Sequence, residues 1–142
     1  MPIQIYNSLT QKKEEFVPLA PGVVKMYLCG PTVYGLLHIG NFRGPIFFNL
    51  VRNWLERSKY DVNFVYNYTD VDDRIIDKAI AENTPASVIS ERYIEEFKKD
   101  FGALSLRPHD STPKVTDSMP AIVEMIDALV KKGAAYLVEG EV

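Results

Sequence analysis

Cysteine and histidine are scarce in this sequence, which has one Cys and two His among its 142 residues. A single cysteine excludes an internal disulfide framework and is typical of a reducing compartment. A structural zinc site normally takes four ligands, which so few Cys and His residues supply poorly. No apolar run approaches the roughly 20 residues of a membrane-spanning helix, and early charges at Lys12 and Lys13 argue against a secretory signal. These absences predict a soluble cytoplasmic protein that does not act in a membrane.

Charge is distributed unevenly along the chain. Residues 1–60 carry seven basic and three acidic side chains, whereas residues 61–142 carry nine basic and sixteen acidic ones. The basic first part would suit an anionic ligand. No basic run of the kind that marks a nucleic-acid-binding tail is present.

The pattern of apolar residues predicts an α/β fold built on a strand, a glycine-rich loop, a helix and a second strand. The strands are expected at 23–29 and 62–68, with a helix at 45–58 between them. Such a crossover forces parallel strands, and ligands of parallel sheets bind beyond the carboxyl ends of the strands. The chemistry is therefore expected from residues 29–44 and 67–73.

The remaining elements are predicted from periodicity and from turn residues. Helices are expected at about 72–82, 85–101 and 118–132, a short strand at 3–9, a loop at 104–118 and a terminal hairpin at 135–142. Two helices show apolar faces that are expected to point to the core, formed by Phe47, Leu50, Val51, Trp54 and Leu55, and by Ile122, Val123, Ile126, Leu129 and Val130.

The loop between the first strand and its helix reads CGPTVYGLLHIGNFR over residues 29–43. Backbone N–H groups and the helix dipole at such a position attract phosphate. Gly40 and Gly44 would let a nucleotide approach the backbone, and His38 could stabilise charge on a phosphoryl oxygen. Asn41 adds a second donor and Arg43 an anion partner. The loop matches neither GxGxxG nor GxxxxGK[ST], which disfavours a dinucleotide fold and a Walker site.

Each of these residues also has a purely structural interpretation. His38 could be a satisfied loop histidine, Cys29 a small buried hydrophobe, and His109 an exposed residue of a proline-rich loop. The acidic run over residues 70–73 suits the first turn of a helix better than a magnesium site. Asn67 and Thr69 end the second strand and are expected to face the candidate site.

Three segments, at residues 26–43, 60–79 and 113–136, together resemble the N-terminal part of cysteinyl-tRNA synthetases, which are class I aminoacyl-tRNA synthetases. The resemblance implies the first half of a Rossmann-like catalytic domain of the HIGH type over residues 1–103. It also implies the truncated start of a connective insertion over residues 104–142. Enzymes of this family activate L-cysteine with ATP, accompanied by Mg²⁺, to cysteinyl-adenylate and transfer the cysteine to tRNA(Cys).

The resemblance also implies roles for individual residues. Cys29 matches a ligand of the Zn²⁺ that binds the substrate thiolate, and His38 matches the first histidine of the family signature. Gly30 and Thr32 match positions that line the cysteinyl-adenylate site. Two further matches, Asn67 and Thr69, lie beside the amino acid in the family, and Asn41 stands where the signature has its second histidine.

Two other positions depart from the family pattern, because Gly44 replaces a common threonine and Tyr66 replaces a common arginine. In the family the other zinc ligands, the lysine-rich loop and the anticodon domain lie further downstream. The isolated chain is therefore predicted to be inactive as a synthetase. Three alternatives remain open: a ligase that joins cysteine to an amino-sugar in thiol biosynthesis, a stand-alone HxGH nucleotidyltransferase, and a non-catalytic nucleotide- or partner-binding module.

Overall fold

The structure is a computed structural model that describes residues 2–142, and it begins with a two-stranded antiparallel hairpin. Strand β1 (Gln4–Asn7) pairs with β2 (Lys12–Glu15). The first strand was predicted. The second strand was missed because its sequence, KKEE, has no alternation of apolar and polar residues. Backbone pairing with β1 stabilises it as a strand.

The predicted strand–helix–strand unit is confirmed. Strand β3 (Val23–Leu28) lies parallel to β4 (Asp61–Tyr66), with Leu28 opposite Tyr66. A short 3₁₀ helix (Ile39–Phe42) leads into helix α1 (Arg43–Arg57), which makes the crossover. The parallel register brings the chain that follows each strand to the same edge of the sheet, and a further bridge pairs Thr32 with Thr69. This edge is where the sequence predicted the chemistry.

Helices α2 (Asp73–Glu82) and α3 (Ala86–Ala103) follow β4 and pack on one another. Asp72 caps α2 by accepting a hydrogen bond from the backbone N–H of Arg74, and Asp73 is the first residue of this helix, as predicted. Asp70 was predicted in the same turn but lies before the helix and binds Thr116 instead. The core between these helices and the sheet is largely aromatic. It contains Phe42, Tyr66, Tyr68, Phe97 and Phe101, together with the fully buried Ile75 and Ile89.

The segment predicted as a loop at 104–118 includes chain that pairs with β4. The backbone N–H of Tyr66 donates to the carbonyl of Ser111 at 3.0 Å, and that of Tyr68 donates to the carbonyl of Pro113 at 2.9 Å. Parallel bridges join Val65 of β4 to Ser111, and Tyr68, two residues beyond β4, to Lys114. The sheet therefore continues past residue 104, and the predicted domain division there stays a prediction.

Helix α4 (Val115–Lys131) begins three residues before the predicted cap at Ser118. Ser118 lies inside the helix and donates to the carbonyl of Lys114, whereas the buried carboxylate of Asp70 accepts from the backbone N–H and hydroxyl of Thr116. The cap comes from a residue 46 positions earlier, which local sequence patterns do not reveal. The predicted strand at 135–138 is reduced to a bridge between Val138 and Glu141 around a turn.

The predicted burial of the α1 face is confirmed for Leu55 and wrong for three of its residues, and the predicted burial of the α4 face is wrong. On α1, Phe47, Leu50 and Trp54 are 56, 63 and 60% exposed, whereas Arg52 is buried. The buried guanidinium of Arg52 has hydrogen-bonding partners, because it donates to the carbonyl of Pro108 at 2.7 Å and pairs with the carboxylates of Glu56 and Asp110. On α4, no residue is buried. Val24 and Val62 cover Leu55 and Val51, whereas nothing among residues 2–142 buries the other three side chains of the α1 face or any side chain of α4.

His109 is not the exposed residue that the sequence predicted. Its ring stacks on Tyr66 with centroids 4.5 Å apart and meets the edge of Phe64 at 4.8 Å. Burial is the main reason that the pKa of His109 falls to about 4, and the charge of Arg52 adds to this effect. The half-buried ring is therefore neutral near pH 7 and packs against the aromatic core. No helix in the described part of the chain is long and apolar enough to cross a membrane.

Candidate functional site

His38 and Asn41 form a reciprocal cap at the start of the 3₁₀ helix. The Nδ1 atom of His38 accepts a hydrogen bond from the backbone N–H of Gly40 at 3.0 Å, and the Oδ1 atom of Asn41 accepts from the backbone N–H of His38 at 3.0 Å. Each side chain thus binds a backbone N–H of the same turn. Their mutual arrangement explains why the sequence places them three residues apart.

This cap determines which nitrogen of His38 can act on a ligand. A backbone N–H only donates, so Nδ1 must be the acceptor, and the neutral ring carries its proton on Nε2. The side chain is exposed, and no hydrogen bond within residues 2–142 uses Nε2. His38 therefore presents one oriented N–H donor to solvent.

His38 also lines a cavity of about 230 Å³. Its lining includes Thr32, Tyr34, His38, Asn41 and Arg74. The Arg74 guanidinium lies over the Tyr34 ring at 4.6 Å and donates to the hydroxyl of Thr32 at 3.2 Å. Hydrogen bonds from its own guanidinium to Asp72 raise the pKa of Arg74, so its charge is permanent. The cavity lining thus combines neutral donors with a guanidinium that already pairs with the Asp72 carboxylate, which an anionic ligand would have to share.

Arg74 and Tyr34 are the residues of this cavity that the sequence analysis missed. The sequence did offer a signal for Arg74, because this basic residue directly follows Asp72 and Asp73, close to the end of the second strand. Its role could not be inferred because its partner Thr32 lies 42 positions earlier.

The second group of predicted site residues lies at the ends of β3 and β4. Asn67 accepts hydrogen bonds from the backbone N–H of Gly30 and from the hydroxyl of Tyr27, both at 2.8 Å. Its amide nitrogen donates to the hydroxyl of Thr69 at 3.3 Å. Cys29 is exposed beside this network. Hydrogen bonds thus link Gly30, Asn67 and Thr69, and Cys29 precedes Gly30 in the chain. The other predicted residues Thr32, His38 and Asn41 line the cavity.

Two of the predicted glycines have clear steric reasons. A Cβ on Gly30 would lie 1.5 Å from the carbonyl oxygen of Asn67, so no side chain fits there. A Cβ on Gly40 would lie 2.8 Å from Cε1 of His38, so this glycine leaves room for the imidazole. Gly44 is different, since its nearest neighbour would be Leu28 at 3.7 Å, an ordinary contact. Close approach of a nucleotide to Gly40 and Gly44 stays a prediction.

The described residues offer no complete metal site. Within the described chain no three His, Cys, Asp or Glu side chains come together as metal ligands require. Cys29 is free and exposed, which suits one thiolate ligand of zinc and no more. The acidic run is occupied, because Asp70 and Asp72 cap helices. Any zinc held at Cys29 would need its other ligands from outside these residues.

Comparison with solved structures bears on the fold. The chain is similar to Mycobacterium tuberculosis methionyl-tRNA synthetase in complex with methionyl-adenylate, with a TM-score of 0.62. The likeness covers 68% of this chain and 19% of that one, at 18% sequence identity. It confirms the predicted α/β fold with parallel strands and crossover helices.

Sequence comparison defines the family. Residues 15–142 match the family model described as tRNA synthetases class I (C) catalytic domain, and the chain belongs to this family. Curated relatives named cysteine–tRNA ligase include those of Bdellovibrio bacteriovorus, 53% identical over 140 residues, and Bacillus pumilus, 51% identical over 142 residues. These alignments cover 99 and 100% of this chain but 29 and 30% of the relatives. The predicted resemblance to cysteinyl-tRNA synthetases is confirmed, and the chain spans about 30% of the length of these relatives.

Proposed function

We propose that this chain is part of a cytoplasmic cysteine–tRNA ligase and carries the part of its active site that promotes adenylate formation. The full ligase would join L-cysteine to ATP with release of pyrophosphate and would then pass the cysteinyl group to tRNA(Cys). One observation carries this proposal: His38, whose Nε2–H is left free by its cap, lines a cavity together with the Arg74 guanidinium. The relatives named cysteine–tRNA ligase support the choice of amino acid.

His38 acts as a hydrogen-bond donor to the α-phosphoryl oxygen. Negative charge grows on that oxygen when the cysteine carboxylate attacks, so a donor held in place beforehand stabilises the transition state more than the ground state. The backbone N–H of Gly40 and the side chain of Asn41 hold the imidazole and its backbone before substrate arrives. Asn41 here supports His38 in place of the second signature histidine, and its amide nitrogen remains for a ligand.

Cys29 is proposed as one ligand of Zn²⁺, which would supply direct binding of the substrate thiolate. Gly30 and Thr32 would line the adenylate site, Gly44 would lie near the nucleotide, and Mg²⁺ would accompany ATP. Since residues 2–142 offer a metal one ligand at Cys29, the isolated chain is proposed to be inactive as a synthetase. Activity would require the remaining portion that relatives possess.

The test uses a chimaera in which this chain replaces the matching span of the Bdellovibrio bacteriovorus ligase. The chimaera is expected to catalyse ATP–pyrophosphate exchange with cysteine. His38→Ala should lower kcat by about 10²-fold or more, the usual loss of one transition-state donor. Leu9→Ala, which changes an exposed side chain of the β1–β2 turn outside the cavity, is the control and should stay within about twofold.

Two outcomes would overturn the proposal. A correctly folded chimaera without cysteine-dependent exchange would refute the function of the chain. Equal kcat values for His38→Ala and Leu9→Ala would refute the role of His38.

A further inference from the structure

The orientation of the Asn67 amide is fixed by its partners. The backbone N–H of Gly30 can only donate, so the atom that faces it at 2.8 Å must be the amide oxygen. The hydroxyl of Tyr27 reaches the same oxygen at 2.8 Å. The amide nitrogen consequently points to the Thr69 hydroxyl, with which it is 3.3 Å apart.

The hydrogen-bonding capacity of Asn67 is therefore largely used within the protein. A carboxamide oxygen has two lone pairs, and Gly30 and Tyr27 occupy both. One of the two amide hydrogens goes to Thr69. The sequence suggested that Asn67 contacts the ligand, but its oxygen has no capacity left to do so.

The contact between the two strand ends depends on this side chain. Gly30 lies so close to Asn67 that a Cβ at residue 30 would overlap the Asn67 carbonyl oxygen. The Asn67 side chain then binds the Gly30 N–H, which follows Cys29 directly. The backbone that carries the Cys29 thiol is held from the neighbouring strand.

We propose that Asn67 is a positioning residue that fixes the Cys29–Gly30 turn, and that Tyr27 holds the Asn67 amide from the exposed side of the sheet. Within the proposed function, this network sets where the Cys29 thiol lies relative to the substrate cysteine. Tyr27 was not among the predicted site residues. Its hydroxyl acts 40 positions away in sequence, through Asn67.

The first test measures amide hydrogen exchange of Gly30 in the chain itself by NMR. Asn67→Ala should speed exchange at Gly30 about tenfold, because loss of one hydrogen bond in a partly buried site corresponds to roughly that factor. Asn67→Asp keeps an acceptor oxygen and should preserve the slow rate. Asn63→Ala removes an exposed amide from the same face of β4 and is the matched control.

Unchanged Gly30 exchange in Asn67→Ala would overturn the inference. If that variant does not fold, Asn67→Asp decides the question: slow exchange at Gly30 supports the inference, and exchange at the rate of an unfolded chain refutes it. Neither result depends on ligase activity.

The second test uses the chimaera and separates KM from kcat. Asn67→Ala should raise the KM for cysteine about tenfold and leave the KM for ATP within about twofold, and Asn67→Asp should restore most of the loss. Equal effects on both KM values, or an unchanged KM for cysteine, would contradict a positioning role. A silent unsubstituted chimaera would instead refute the proposed function, while the exchange experiment still decides the role of Asn67.

Discussion

The buried histidine at position 109 makes a prediction about pH and stability. Folding lowers the pKa of His109 from 6.5 to about 4, mainly through burial. The unfolded chain therefore binds a proton more readily than the folded one. The stability that comes from a neutral His109 is complete above about pH 6.5 and is lost as the pH falls from there towards about 4.

The expected magnitude follows from the shift. One pKa unit corresponds to about 1.4 kcal/mol, so about 2 kcal/mol should be lost at about pH 5 if the full shift applied. His109 is only partly buried, and solvent screening reduces the loss to about 1 kcal/mol. Carboxylates with lowered pKa values, such as those of Glu56 and Asp72, lose their contribution at lower pH, because it is present above the ordinary pKa of an acid.

The assay is urea unfolding followed by circular dichroism at about pH 7.5 and about pH 5. The control is His109→Phe, which retains an aromatic ring against Tyr66 but does not titrate. Between the two pH values the unsubstituted chain should lose about 1 kcal/mol more of its free energy of unfolding than the variant. Equal losses would refute the assignment of a neutral, buried His109.

Three further substitutions test the packing around the site by thermal or urea unfolding. Gly30→Ala should destabilise by about 3 kcal/mol or more, because its Cβ would overlap the carbonyl oxygen of Asn67; a stable variant would contradict the strand-end geometry. Gly44→Ala should stabilise by about 0.5–1 kcal/mol, since its Cβ meets Leu28 at an ordinary distance and alanine favours a helix; destabilisation would mean that the start of α1 is tighter than described. Arg52→Met should destabilise by about 2–3 kcal/mol, because it leaves carboxylates and a carbonyl without their partner; no change would show that the buried ion pair contributes nothing.

Local patterns predicted the parts of the fold that local interactions determine. The apolar strands 23–29 and 62–68 and the helix between them were predicted closely, because β-branched and aromatic runs and helical spacing act over a few residues. The start of α2 was found from its acidic first turn. The burial of Arg52 was not predicted, because its partners Pro108 and Asp110 lie more than 50 positions away in the sequence.

The candidate site shows the same division. His38 and Asn41 were identified, and their reciprocal cap follows from a spacing of three residues. The sequence could not show that Asn67 binds Gly30, 37 positions away, or that Arg74 reaches Thr32. These contacts depend on the parallel register of β3 and β4, which places the two strand ends side by side. Residue identity thus predicted the chemistry, while the register determined which groups remain free for a ligand.

The most direct test of the account is amino-acid-dependent ATP–pyrophosphate exchange by the isolated chain and by the chimaera, measured with cysteine, serine and methionine. The account predicts exchange by the chimaera with cysteine alone and none by the isolated chain. Exchange by the isolated chain, or a chimaera that prefers serine or methionine to cysteine, would contradict it.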